Sequence, residues 1–205
     1  MAVLQAIDRC QPAGRRDYAL LALMFNTGAR VQEIVDLKGN DLQLSNPFSV
    51  RFFGKGRKER ICPIWAETAH VLREYVEERG IDIRMPITLF TNHLGNPLTR
   101  FGVRYILAKY LRNAAEMQPS LAKKRLHPHS MRHSTAVHLL KSGVDLSTIA
   151  HWLGHASINT TGKYAAIDLE MKRQAIAKAK PLGDENTPRW SWRKDSDILM
   201  WLESL

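Results

Sequence analysis

Only one stretch of this chain reads as β-structure. In SVRFFGKGRKERICPI, residues 49–64, two short β-leaning runs flank GKGRKE. That pattern predicts a hairpin with a glycine-bearing, basic turn. Elsewhere the apolar residues recur at the three- and four-residue spacing of helices. The expected fold class is therefore mainly α (α+β), a helical domain with a small antiparallel β-hairpin or sheet.

The helices are delimited by their punctuation. Residues 15–25 (RRDYALLALMF) predict a helix, with Asp17 as its start and Gly28 after its end. VQEIVDLK follows at once, with Val31, Ile34, Val35 and Leu37 on its apolar face. Residues 66–79 predict a helix charged on one face, and 86–97 read as irregular. Thr99 prepares a helix over FGVRYILAKYLRNAAE. Another runs from about Ser130 to Ser142 and stops at Gly143. Asp145 caps the next, LSTIAHWL, which ends at Gly154. Ser157 or Asn159 begins a short turn carrying Tyr164, and residues 168–179 form one more helix.

PLGDENTP then breaks the chain. It divides residues 1–183 from a linker and tail over 184–205, where Asp195 or Ser196 caps an amphipathic helix with Ile198, Leu199, Trp201 and Leu202. An apolar peptide on such a linker is expected to pack on its own domain or on a neighbouring subunit.

Charge narrows the partners. Thirty Lys and Arg face twenty Asp and Glu, a formal net charge of +10. That surplus favours a polyanion, with nucleic acid ahead of an anionic membrane. No apolar run reaches the roughly 18–20 residues that span a bilayer. The N-terminal residues lack the order of a secretory signal, because their basic residues follow the apolar ones. Cys10 and Cys62 have no CxxC or zinc-ligand spacing, so a reducing, cytoplasmic setting fits best.

The unusual chemistry lies in the turns between helices. Six of the eight histidines fall within the 38 residues from His127 to Tyr164. They could bind a metal, fill a core or surround a phosphate. The metal reading is the weakest: His151 and His155 are four apart, but Trp152 stands where HExxH has its glutamate, and Gly154 ends the helix between them. Walker, dinucleotide and GxSxG signatures are missing. A phosphodiester needs paired guanidiniums on its oxygens, a nucleophile, and a proton for the leaving oxygen. The residues that suit it are Arg30 after a glycine turn, Lys55 at the hairpin tip, His129 and Arg132 one helical turn apart, His155 after a glycine, and Tyr164.

TGARVQEIVDLKGNDL, FFGKGRKERICPI and HPHSMRHSTAVHLLKSGVDLSTIAHWLGHASINTTGKYA resemble the tyrosine recombinases of the phage-integrase type, over residues about 15–180. Arginine box, hairpin lysine, HxxR, GH and tyrosine occur in the family's order and at its spacing. The resemblance implies a catalytic domain that cuts and rejoins double-stranded DNA without metal, ATP or other cofactor. It implies a homo-oligomer on DNA, a tetrameric synapse. Tyr164 is then the nucleophile, forming a 3′-phosphotyrosyl bond and a free 5′-hydroxyl. Arg30 and Arg132 bind the scissile phosphate, and His155 donates to one of its oxygens. Lys55 protonates the leaving 5′-oxygen, and His129 helps manage the tyrosine proton.

Glu33 takes the place of the family's acidic residue behind the first arginine and is expected to orient it. Arg57, Lys58 and Arg60 are expected to grip the DNA backbone. His127, His133, His138 and His151 are expected to pack or to bond backbone. Two features depart from the family. Ser130 follows the motif histidine where many members have Asp. Only about 15 residues precede the first catalytic helix, where many members carry a separate helical DNA-binding domain, so tight autonomous site recognition is not expected. Type IB topoisomerases, with similar chemistry, and a non-catalytic DNA-binding accessory are the alternative readings.

Overall fold

The computed structural model describes residues 2–54, 59–122 and 127–154. The chain divides into two compact units, Met1–Ala165 and Ala166–Leu205, and all described residues belong to the first. The helix expected over 168–179, the linker and the tail helix lie outside the described residues.

Among the described residues, seven α-helices and three strands follow one another: α1 (Ala2–Gln5), α2 (Pro12–Thr27), α3 (Val31–Val35), β1 (Leu42–Gln43), β2 (Ser49–Phe53), β3 (Glu59–Pro63), α4 (Ala66–Arg79), α5 (Arg100–Met117), α6 (Pro128–Lys141) and α7 (Leu146–Leu153). The architecture is mainly helical with a small antiparallel sheet, in line with the sequence reading. α2 is the hub. Its Ala19, Leu20, Leu21, Leu23 and Met24 are all buried, and it packs against both α4 and α6. Gly28 closes it in a left-handed conformation, its N–H donating to the Met24 carbonyl at 2.9 Å.

α2 begins earlier than the sequence suggests. Pro12 occupies its first turn, where a missing N–H costs nothing. Asp17 is therefore no cap. It lies inside the helix, buried, and accepts from the Tyr110 hydroxyl of α5 (3.0 Å) and from the Arg16 guanidinium (2.6 Å). A residue read as a helix start is instead a polar tie between two packed helices.

The sheet has the order β1-β2-β3, antiparallel throughout, with Val50 opposite Cys62 and Phe52 opposite Arg60. Side chains alternate across it. Val50, Phe52 and Cys62 face the core, whereas Phe53 and Ile61 point outward. The third strand, β1, was not expected; two residues leave no periodicity to read. Residues 86–97 are irregular as expected, yet Leu89 and Phe90 within them are fully buried, with Phe90 stacked on Tyr75.

Caps fix the later helices where the sequence placed them. Thr99 Oγ1 accepts from the Gly102 N–H at 3.1 Å at the start of α5. Asp145 does the same for α7, accepting from the Thr148 N–H at 2.9 Å. Gly143 and Gly154 both take left-handed conformations at the ends of α6 and α7. No helix among the described residues is long and apolar enough to cross a membrane.

Candidate active site

Three arginines meet at the C-terminal end of α7. A helix C-terminus leaves carbonyls without intrahelical partners and carries partial negative charge. Here Arg60 Nε donates to the Trp152 carbonyl (3.2 Å), Arg132 Nη2 to the Leu153 carbonyl (2.5 Å), and Arg30 Nη2 to the Gly154 carbonyl (3.2 Å). Three successive carbonyls are thus held by side chains from three distant parts of the chain. His155 is the next residue.

Each arginine arrives by a different route. Arg30 sits just past the left-handed Gly28, at the start of α3. Arg132 projects from α6, is buried, and also donates to the Gly28 carbonyl at 2.6 Å. It therefore bridges the turn before α3 and the last residue of α7. The approach of these turns requires glycine: a Cβ on Gly28 would stand 2.5 Å from Leu153 Cδ2. Arg60 arrives on the inner face of β3.

Glu33 is the counter-charge. Its side chain is only 3% exposed. Oε2 accepts from the Arg30 N–H (2.7 Å) and from Arg60 Nη2 (2.9 Å), while Oε1 accepts from Arg30 Nη1 (3.1 Å) and Arg60 Nη1 (2.7 Å). Burial pushes this carboxyl up, but the bonds and charge of Arg60, followed by those of Arg30, outweigh it. The net result is a carboxyl held below its ordinary value. Arg30 and Arg60 share this one carboxylate, and Arg132 adds a third guanidinium at the same helix end, so positive charge is in surplus. The Arg30 side chain, 42% exposed, brings that surplus to the surface. Such a cluster suits a phosphate oxygen.

Arg60 departs from its sequence expectation. It was grouped with Arg57 and Lys58 as a grip on DNA backbone, but its side chain is 12% exposed and bound to Glu33. Strand parity explains this. Arg60 shares a face with Cys62, two residues on, so it points inward with that buried cysteine. It also lies over the Phe52 ring at 4.7 Å. Alternation counted back from Cys62 was the signal that would have found it.

His129 is exposed at the first turn of α6, one turn before Arg132, with its ring edge-on to His127 at 6.1 Å. His127 Nδ1 lies 3.3 Å from Ser130 Oγ. His138 packs against Phe25 and Trp65, and His151 Nδ1 lies 2.9 Å from the Ser147 carbonyl. Cys62, beside the arginines, is no nucleophile, since burial pushes its thiol up to about 12. Lys55, Arg57, Lys58, His155 and Tyr164 lie outside the described residues; β2 and β3 flank the first three.

Residues 1–171 match the sequence profile of the Phage integrase family. The chain belongs to that family. It is 40% identical to the putative integrase/recombinase y4rC of Sinorhizobium fredii, over all of this chain and 60% of that protein. It is 34% identical to the tyrosine recombinase XerC of Staphylococcus carnosus, over 88% of this chain and 59% of that one. Among solved structures, the XerH site-specific recombinase in its post-cleavage complex with palindromic difH substrate superposes with a TM-score of 0.71. The identity is 27%, over 86% of this chain and 50% of that one. The XerA recombinase gives the same TM-score at 26% identity, over 88% of this chain and 62% of that one. The chain thus spans about three-fifths of the length of the integrase relatives it matches.

Proposed function

We propose that this chain is the catalytic part of a tyrosine-type site-specific DNA recombinase. The observation that carries the reading is the convergence of Arg30 and Arg132 on adjacent carbonyls immediately before His155. Two guanidiniums held there supply forked donors for the non-bridging oxygens of one phosphodiester, where charge grows in the transition state.

In this reading the Tyr164 phenolic oxygen attacks phosphorus. The P–O bond to tyrosine forms as the P–O5′ bond breaks, leaving a 3′-phosphotyrosyl link and a free 5′-hydroxyl. Lys55 gives a proton to the leaving oxygen, and His129 helps take the one that tyrosine loses. His155 donates to a phosphate oxygen. A free tyrosine has a pKa near 10, so only about a thousandth is phenolate at pH 7. The neighbouring cations lower that barrier. Attack by another strand's 5′-hydroxyl reverses the step and rejoins the DNA, so no ATP, metal or cofactor is required. The partner is double-stranded DNA, engaged as a homo-oligomer, a tetrameric synapse, in the cytoplasm. Arg57 and Lys58, which lie between β2 and β3 in the sequence, contact its backbone. The relatives support this reading: XerH is described as bound to a difH substrate.

The test uses nicked suicide duplexes cut from DNA flanking the gene. Wild type is expected to give an SDS-stable protein–DNA adduct, and Tyr164→Phe none. An adduct that persists in Tyr164→Phe overturns the assignment of the nucleophile.

A further inference from the structure

Arg60 is the polar side chain at this site to which the recombinase chemistry assigns no task. Its polar atoms bond to acceptors within the protein. Both Nη atoms go to Glu33, at 2.7 and 2.9 Å, and Nε goes to the Trp152 carbonyl. One face of the guanidinium covers Phe52. The stem is gripped as well, since a Cβ on Gly154 would stand 2.9 Å from Arg60 Cδ.

We propose that Arg60 is a positioning residue for strand cleavage. It clamps the Glu33 carboxylate to the C-terminal turn of α7, and so fixes Arg30 and Arg132 relative to that turn and to the hairpin strand.

The chain of contacts is short. An ionised carboxylate offers about four acceptor positions. Arg30 and Arg60 fill two each on Glu33. Arg30 therefore receives its orientation from a carboxylate that Arg60 holds from the other side. Through Nε, Arg60 also ties down the turn whose next two carbonyls accept from Arg132 and Arg30. β3 carries this clamp, so this strand and the arginine pair share one anchor. A lysine could keep the charge but not the geometry, because a point-charge ammonium cannot present a fork to Glu33 and a third donor to Trp152 at once. A direct grip on DNA is incompatible with these bonds, since Arg60 would have to release Glu33 to reach a phosphate.

The inference rests on the recombinase reading, and its test separates the two. Arg60→Lys is compared with wild type for duplex affinity and for the single-turnover rate of adduct formation. The expected result is near-wild-type affinity with a cleavage rate lower by about 10²-fold, the scale of a misplaced catalytic group. A rate within about threefold of wild type overturns the proposal, on the same scale. So does an affinity loss as large as the rate loss, which would mark a DNA contact.

Amide hydrogen exchange on the wild-type protein supplies a second measurement, independent of catalysis and of whether a variant folds. The Arg30 amide, bonded to Glu33 Oε2, is expected to exchange as slowly as helix-interior amides. Exchange as fast as an exposed loop overturns the clamp. If wild type forms no Tyr164-dependent adduct, the recombinase reading fails, and the clamp is then decided by whether the Arg30 amide exchanges faster in Arg60→Lys than in wild type.

Discussion

Glu33 is a nearly buried carboxylate with its acceptor positions filled by two arginines, and its charge state therefore reports on the site. Its folded-state pKa lies below the ordinary value of 4.5. A depressed carboxylate pKa contributes stability that is fully present above the unfolded value and is lost as pH falls through the folded one. Removing one partner of a buried ion pair costs about 3 kcal/mol or more. Glu33→Gln is accordingly expected to lower the urea midpoint at pH 7. The gap between variant and wild type should narrow as pH drops below the ordinary value of 4.5, where Glu33 of the unfolded chain takes up a proton, and close as pH falls through the lower folded value. A gap that stays constant down to pH 3 would mean that Glu33 carries no such charge coupling. Asp8, Glu78, Asp82 and Asp145 are also held below their ordinary values by surface bonds. Comparing the two proteins cancels their share.

At the scale of elements, α7 shows how a short helix can organise a site. Its eight residues are capped by Asp145 at one end and by arginines at the other, and Gly154 turns the chain at φ +64°. Gly154→Ala places a Cβ against Arg60 and forces a left-handed conformation on an L-residue, which costs about 1–2 kcal/mol. The variant should unfold at lower urea, and its adduct formation should slow as Arg60 shifts. Unchanged stability and rate would show that the turn tolerates displacement.

The caps and glycines of α5, α6 and α7 were legible in the sequence, because Thr99, Asp145, Gly143 and Gly154 act locally. Asp17 and Arg60 were misread for the opposite reason. Asp17 looks like a cap only until Tyr110, far along the chain, is known to meet it. Arg60 looks like a basic-turn residue until strand parity turns it toward Glu33. Leu89 and Phe90 lie in a segment without periodicity, so nothing local marks them as core. At the site, the residue types and their spacing were readable. The convergence of Arg30, Arg60 and Arg132 on one helix end was not, because it depends on tertiary packing of α3, β3, α6 and α7.

On the scale of the whole molecule, a chain with net charge +10 that covers about three-fifths of its integrase relatives is expected to bind DNA through charge and to gain specificity by assembly. The segment 184–205 bears on the second half of that expectation. Its sequence places Ile198, Leu199, Trp201 and Leu202 on one short amphipathic run after a Pro-flanked linker. A run of that kind loses apolar exposure only by docking, and docking on a neighbouring protomer would couple binding events along the DNA. Deleting residues 184–205 is then expected to leave the first protomer's binding intact and to weaken the higher-order complexes that follow it. A gel-shift titration across a duplex carrying paired sites would resolve the two steps. Retention of the higher-order complexes at the same protein concentration, with unchanged recombination, would show that the tail makes no contact between protomers. Loss of the first binding step would place the tail against its own domain instead.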